Sequence, residues 1–216
     1  MALEEYTTLA ATGEGEYVEK RSRFIGVSAP IQTPEEGAAL VAQIKSKYYD
    51  ARHHCYAYRL RGGVQRYADD GEPQGTAGLP ILDILERRDL VDCIVIVTRY
   101  FGGTLLGTGG LVRSYSAAAA DALANAPLLT MQRYIQGAFT CAYNRQGRLQ
   151  PLVEKYGGLI QNIDYGEQVT FSFLLPYNNQ DSFMADLTES SYGEVTATFG
   201  ETLYGGTALG QWFSGT

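Results

Sequence analysis

The stretch Arg99-Tyr100-Phe101-Gly102-Gly103-Thr104-Leu105-Leu106-Gly107-Thr108-Gly109-Gly110 places five glycines between an apolar run, Cys93 to Val97, and an alanine-rich segment. Val91 to Thr98 predicts a buried strand. Gly110 to Ala124 predicts a helix whose face is Leu111, Tyr115, Ala118 and Ala122. The many alanines imply close packing of that helix on a sheet. Glycine admits positive φ and close backbone approach, so one reading of the loop is a sharp strand-to-helix turn. The other is an anion-binding loop of Gly102, Gly103, Gly107, Thr108 and Gly109 at a helix N-terminus. Gly102 to Gly107 matches the glycine half of a P-loop, but Thr108 stands where the motif needs Lys. ATP hydrolysis at a Walker site is not expected.

The rest of the chain alternates strands and helices. Glu14 to Val18 and Phe24 to Ile31 read as strands. Pro34 suits a first helical turn, and Leu40, Val41, Ile44 and Tyr48 then recur at helical spacing. His53 to Leu60 and Val64 to Ala68 read as a hairpin across Gly62-Gly63, and Pro80 to Glu86 as a short helix. Asn125-Ala126-Pro127 breaks the alanine-rich helix, giving expected domains of residues 1–127 and 128–216. The second reads strand (Gln132 to Tyr143), helix (Arg145 to Tyr156), strand (Leu159 to Tyr165), strand (Gln168 to Leu175), helix (Gln180 to Glu189), strand (Tyr192 to Phe199). That βαββαβ order is the ferredoxin-like arrangement, and the fold class is α+β.

Composition excludes several classes. No apolar run approaches the ~20 residues of a bilayer span, and no membrane partner is expected. The opening Met-Ala-Leu-Glu-Glu lacks a secretory n-region. Cys55, Cys93 and Cys141 are odd in number and far apart, which argues against a disulfide framework or zinc site and fits the cytoplasm. No cofactor is expected. The net charge of −7 means that nucleic-acid binding needs a local basic patch. One stretch qualifies: Lys45, Lys47, Arg52, Arg59, Arg61 and Arg66, with Asp50 the one acid between Lys45 and Arg66. From Met131 onward there are four basic and eight acidic residues.

Two further motifs carry candidate chemistry. Asp69-Asp70-Gly71-Glu72-Pro73-Gln74-Gly75-Thr76-Ala77-Gly78 holds three carboxylates within four residues. They suit Mg²⁺ or an acid–base division. They equally suit turns and caps, with Thr76 capping the next helix and Arg99 and Arg113 neutralising charge; this structural network is favoured, and no metal is expected. In Arg52-His53-His54-Cys55-Tyr56-Ala57-Tyr58, strand alternation puts His53 and Cys55 on one face and His54 on the other. A Cys nucleophile needs a base within about 3 Å, which same-strand spacing does not provide.

These three motifs, in this order and spacing, resemble the signature of the YigZ/IMPACT family over residues ~15 to ~127. The second half is similar to bacterial members in domain arrangement. The resemblance implies an N-terminal domain of the fold of the second domain of ribosomal protein S-five and of the fourth domain of elongation factor G. It implies a ferredoxin-like C-terminal domain like that factor's fifth. Eukaryotic IMPACT proteins regulate translation by competing for an activator of a starvation-sensing kinase, but with an extra N-terminal domain absent from this sequence. That role does not transfer; a contact with RNA, the ribosome or another part of the translation machinery does, by fold analogy.

Two functions follow as expectations. The first is a translation-associated binding protein using the Lys45–Arg66 face with Arg99, Arg113 and the glycine loop, and Tyr56, Tyr58 and Tyr67 as stacking planes. The second is a small hydrolase or phosphate-handling enzyme built from His53, Asp69, Asp70, Glu72 and Arg99. The binding reading is preferred, because spacing reveals no nucleophile–base pair or ligand set.

Overall fold

A computed structural model describes residues 5–209 and 211–214. Residues 1–4, on which the reading of the N-terminus rests, lie outside them. The chain divides into two compact units, one built mainly on Tyr6–Thr130 and the other mainly on Met131–Gly206.

The N-terminal unit runs β1 (Glu5–Leu9), β2 (Gly13–Glu19), β3 (Ser22–Pro30), α1 (Pro34–Lys47), β4 (His53–Arg59), β5 (Gln65–Ala68), α2 (Gly78–Arg87), β6 (Cys93–Tyr100) and α3 (Gly107–Ala124). The sheet order is β2-β3-β6-β4-β5, antiparallel throughout. Alternation splits each strand between two cores. Phe24, Cys55, Ala57, Val95 and Val97 face α2 and α3. Val27, Ala29, Tyr58, Ile94 and Ile96 face α1. The central strands are therefore nearly continuous apolar runs, as strands covered on both sides must be. The first helix starts where Thr33 accepts from the Glu36 amide at 3.2 Å, with Pro34 in its first turn. The alanine-rich helix lies hard on the sheet: a Cβ on Gly26 would stand 2.5 Å from the Ala118 carbonyl oxygen.

The C-terminal unit runs β7 (Leu128–Cys141), α4 (Gln146–Lys155), β8 (Leu159–Tyr165), β9 (Val169–Pro176), α5 (Gln180–Ser190), β10 (Thr198–Ala208) and β11 (Gln211–Ser214). Its strands order as β11-β10-β7-β9-β8. The β10-β7-β9-β8 portion is antiparallel with the connectivity of the ferredoxin-like fold. One sheet face packs on α4 and α5 through Phe139, Phe171, Phe173 and Phe183.

Sequence reading differs most from the structure at five elements. The first ferredoxin-like strand starts at Leu128 rather than Gln132, and the last runs to Ala208 rather than Phe199. The last ferredoxin-like strand starts at Thr198 rather than Tyr192, because Tyr192 (φ 57°) and Gly193 (φ 79°) turn left-handed at the end of α5. The alanine-rich helix starts at Gly107, three residues early, so Gly107, Thr108 and Gly109 are its first turn and not loop. Strands β1 and β11 were not anticipated; both are short and lack clean alternation.

Candidate functional site: a carboxylate-locked cluster beside the glycine loop

The β5–α2 connection folds back against β4 and β6 and brings the three motifs together. Asp69 is its organiser. Its carboxylate accepts from the amides of Gly75 (2.8 Å), Ala77 (3.1 Å) and Gly78 (2.8 Å). It thus caps α2, whose N-cap residue Ala77 has no side chain to do so. The expected cap, Thr76, instead donates to the Pro73 carbonyl at 2.6 Å. Asp70 sits at φ 42°, a conformation Asp tolerates better than most residues. It accepts from the His54 amide at 2.8 Å and from Lys45 Nζ at 2.9 Å. Burial opposes its charge, but Lys45 and the His54 amide outweigh that and hold its carboxyl below the usual range.

Glu72 points inward. Its side chain is 4% exposed and its Oε1 accepts from Arg99 Nη1 at 2.7 Å and from the Tyr115 hydroxyl at 2.8 Å. Arg99, 6% exposed, lies over the Phe24 and Phe101 rings, with centroids at 5.5 and 5.6 Å. Its Nε is buried without a hydrogen-bond partner among the described residues. The Cys55 thiol lies 2.9 Å from the Asp69 carbonyl oxygen and 3.4 Å from the Tyr115 hydroxyl. Burial pushes both the Cys55 thiol and the Tyr115 phenol far above their ordinary ranges, so neither is an activated nucleophile. His53 Nδ1 donates to the Asp70 carbonyl at 3.0 Å, which leaves Nε2 as its acceptor nitrogen. His54, on the opposite face, pairs with Thr98 Oγ1 at 3.0 Å, and burial lowers its pKa.

His53, Cys55, Asp69, Asp70, Glu72 and Arg99 therefore converge, and each side chain bonds a neighbour, with Arg99 Nε left over. Arg113 does not join them. It is exposed on α3, where its Nη1 stands 3.5 Å from the position a Cβ on Gly109 would take. Sequence reasoning missed two members. Tyr115 was assigned to the apolar face of α3, although its hydroxyl links Glu72 to Cys55. Lys45 was placed in a phosphate-binding patch, although it pairs with Asp70. The one aromatic ring in an alanine-rich helix, and a ring with a polar tip, was the available signal for Tyr115.

The glycine loop divides in two. Gly102 is a packing glycine: its Cβ would fall 2.1 Å from the Arg21 carbonyl carbon, and its amide donates to Ser22 Oγ at 3.1 Å. Gly103 (φ 84°) and Gly107 (φ 70°) make left-handed turns into α3. Gly107, Thr108 and Gly109 then present their amides at a helix start with no side-chain cap and no acid in its first turn.

The basic stretch is largely committed. Lys45 pairs with Asp70, Lys47 with Glu14 at 3.4 Å, and Arg61 with Asp92. Arg59 bonds the Leu85 and Leu90 carbonyls at 3.3 and 3.1 Å. Arg52 and Arg66 are exposed and have no partner among the described residues. Of the expected stacking planes, Tyr58 is buried under α1 and Tyr56 is partly covered, whereas Tyr67 is open. Among the described residues no group of three or more His, Cys, Asp or Glu side chains is arranged to hold a metal ion, and no helix is long and apolar enough to cross a membrane.

Comparison with known proteins follows the same division. The Impact N-terminal domain matches residues 20–123, the unit that carries the cluster, and a domain of unknown function (DUF1949) matches residues 139–194. The IMPACT family member YvyE of Bacillus subtilis (strain 168) is 32% identical over 204 residues, 94% of either chain. The IMPACT family member YigZ of Escherichia coli (strain K12) is 35% identical over 184 residues, 82% of this chain and 88% of that one. A crystal structure described as that of a hypothetical protein is 32% identical, superposes with a TM-score of 0.58, and covers 92% of this chain and 98% of its own. With matches spanning both units at this identity, the chain belongs to the IMPACT family.

Proposed function

We propose that this protein acts by binding, as a translation-associated module that contacts RNA through its N-terminal unit. The observation that supports it is the state of the cluster. Asp69, Asp70 and Glu72 are consumed in capping, turn formation and a buried ion pair, so the signature builds a rigid platform. What the platform leaves outward is an uncapped helix start at Gly107–Gly109, two unpaired cations, Arg52 and Arg66, and the open ring of Tyr67. Lys45, Lys47 and Arg61 are already paired, so a variant of those three would test structure as much as binding. The informative variant is Arg52→Glu/Arg66→Glu. Titration of labelled ribosomal RNA should give a Kd of about 10⁻⁴–10⁻⁶ M at physiological salt, tightening steeply as salt falls, and the variant should weaken it while leaving the circular dichroism spectrum intact. Unchanged affinity in the variant, or no binding at low salt, sinks the RNA reading.

The fold relationship to translation proteins supports the translation setting by analogy alone. We also take residues 1–127 and 128–216 as two domains, so that limited proteolysis yields a stable fragment of roughly 125–130 residues. A second functional reading, a phosphate-handling hydrolase, is favoured by one observation: the buried Arg99 Nε beside Glu72 has a free donor. Its test is hydrolysis of p-nitrophenyl phosphate by wild type and by Arg99→Lys. Turnover lost in the variant with the fold retained would move the cluster from platform to active site.

A further inference from the structure

We infer that the groove between α2 and α3 docks an acidic peptide segment with aliphatic or aromatic anchors. The groove shares only the start of α3 with the RNA surface proposed above; its apolar floor and its rim arginines lie on other residues.

The groove has a volume of about 530 Å³, within the range of built ligand sites. Its apolar floor comes from two helices. α2 buries Ile81, Leu82 and Leu85 against the sheet, yet Leu79 and Ile84 are also apolar and line the groove. An amphipathic surface helix needs one apolar stripe; α2 carries the exposed Leu79 beyond it, and Ile84, packed partly on the core, extends its edge into the groove. α3 faces the sheet with Leu111, Tyr115, Ala118 and Ala122, and Val112, off that set, turns to the groove. Leu79 is 43% exposed and Val112 36%. Three aliphatic side chains gathered from two helices into one concavity fit the mode in which a short peptide lays i, i+3 and i+4 anchors between helices.

Charge selects the occupant. The rim carries Arg87, Arg113 and Asp83. Asp83 is taken by Arg87 at 3.1 Å, and Arg113 has no ion-pair partner among the described residues. The Arg113 guanidinium reaches back over Gly109, adding its charge to the positive end of α3, where no carboxylate caps the first turn. A partner carboxylate at this rim would gain a guanidinium and a helix start together; a lysine there would be repelled by both. The chain's net charge of −7 does not decide the matter, because charges beyond about 8 Å are largely screened at physiological salt.

The test is to pan a random peptide library displayed on phage against the full-length chain, then measure a labelled enriched peptide by fluorescence polarisation. Enriched sequences should place Asp or Glu within one helical turn of Leu, Ile or Phe. The peptide should bind about tenfold more weakly to Arg113→Glu, a change at an exposed side chain. It should also weaken with Val112→Ser, and keep its affinity for Arg52→Glu/Arg66→Glu, the variant that tests RNA. No enrichment, enrichment of basic or uncharged peptides, or equal affinity for wild type and Arg113→Glu would each overturn the inference. So would loss of ribosomal RNA binding in Arg113→Glu with peptide binding retained, which would make this face a nucleic-acid surface.

Discussion

The N-terminal sheet is covered by helices on both faces, whereas the ferredoxin-like sheet packs α4 and α5 on one face and leaves Gln136, Thr140 and Thr198 exposed on the other. The two cores differ in kind. The C-terminal core is aromatic: Phe139, Phe171, Phe173 and Phe183 touch with centroids from 4.8 to 6.5 Å. The N-terminal core carries the Arg99–Glu72 pair at its edge, bonded to a buried tyrosine. A ring cluster tolerates many sequences of similar volume. A buried ion pair with a capped helix and a left-handed Asp needs particular residues at particular positions. The difference explains why the first unit reads as motifs and the second as a pattern.

The largest effects test that contrast. Glu72→Ala strands the Arg99 charge in the core and should cost about 3–5 kcal/mol, the range for breaking a buried pair from one side. Phe183→Ala in the other unit should cost about 3–5 kcal/mol by cavity formation. Their double-mutant pattern separates the mechanisms: Glu72→Ala/Arg99→Met should recover part of the loss, because it removes the stranded charge, while no polar change rescues Phe183→Ala. Urea unfolding of the full chain measures all of them. If Glu72→Ala costs under about 1 kcal/mol, the pair is not structural and the platform argument fails with it.

A smaller effect is expected at Asp69. Asp69→Ala leaves the amides of Gly75, Ala77 and Gly78 without their acceptor and should cost about 1–2 kcal/mol, the upper range for losing a helix cap. Asp69→Asn keeps a carbonyl oxygen and should recover roughly half of that. Equal losses in the two variants would mean that the carboxylate's charge, rather than its geometry, matters at the start of α2.

Much of this architecture was legible in sequence because strand alternation, helical spacing and Pro and Gly punctuation all reported the same elements. The ferredoxin-like order emerged from spacing alone. The limits were physical. The start of α3 was set three residues late because Gly107 and Gly109 are poor helix formers and carry no side chain that reports a helical face. The convergence of His53, Asp69, Asp70 and Glu72 was suggested by the motifs, but not who pairs with whom. Lys45 sits 25 positions from its partner Asp70, and Tyr115 sits 43 from Glu72; no local rule connects such positions. The basic stretch looked like a patch because sequence shows charges and not their partners.

The smallest expected effect is in pH. Both histidines belong to the N-terminal unit, so it alone has a side chain with an ordinary pKa near 6.5. His54 is buried against Thr98, and burial lowers its pKa. The unfolded chain therefore takes up a proton at His54 at a higher pH than the folded chain does. Stability rises with pH wherever the unfolded state holds more protons. It should thus fall as pH drops below about 6.5 and level off beneath the folded value of His54. Asp70 acts in a lower window: its folded pKa is depressed, so its contribution is complete above about 3.9 and is lost as pH falls through the folded value. Between pH 5 and 6.5 the two are separable. Unfolding midpoints in urea at pH 5.5 and 7.5 should differ for wild type, lower at 5.5, and the difference should shrink in His54→Gln. A wild-type midpoint that is the same at both values would show that His54 does not resist protonation, and the contrast between a polar first unit and an aromatic second one would then have no signature in this range.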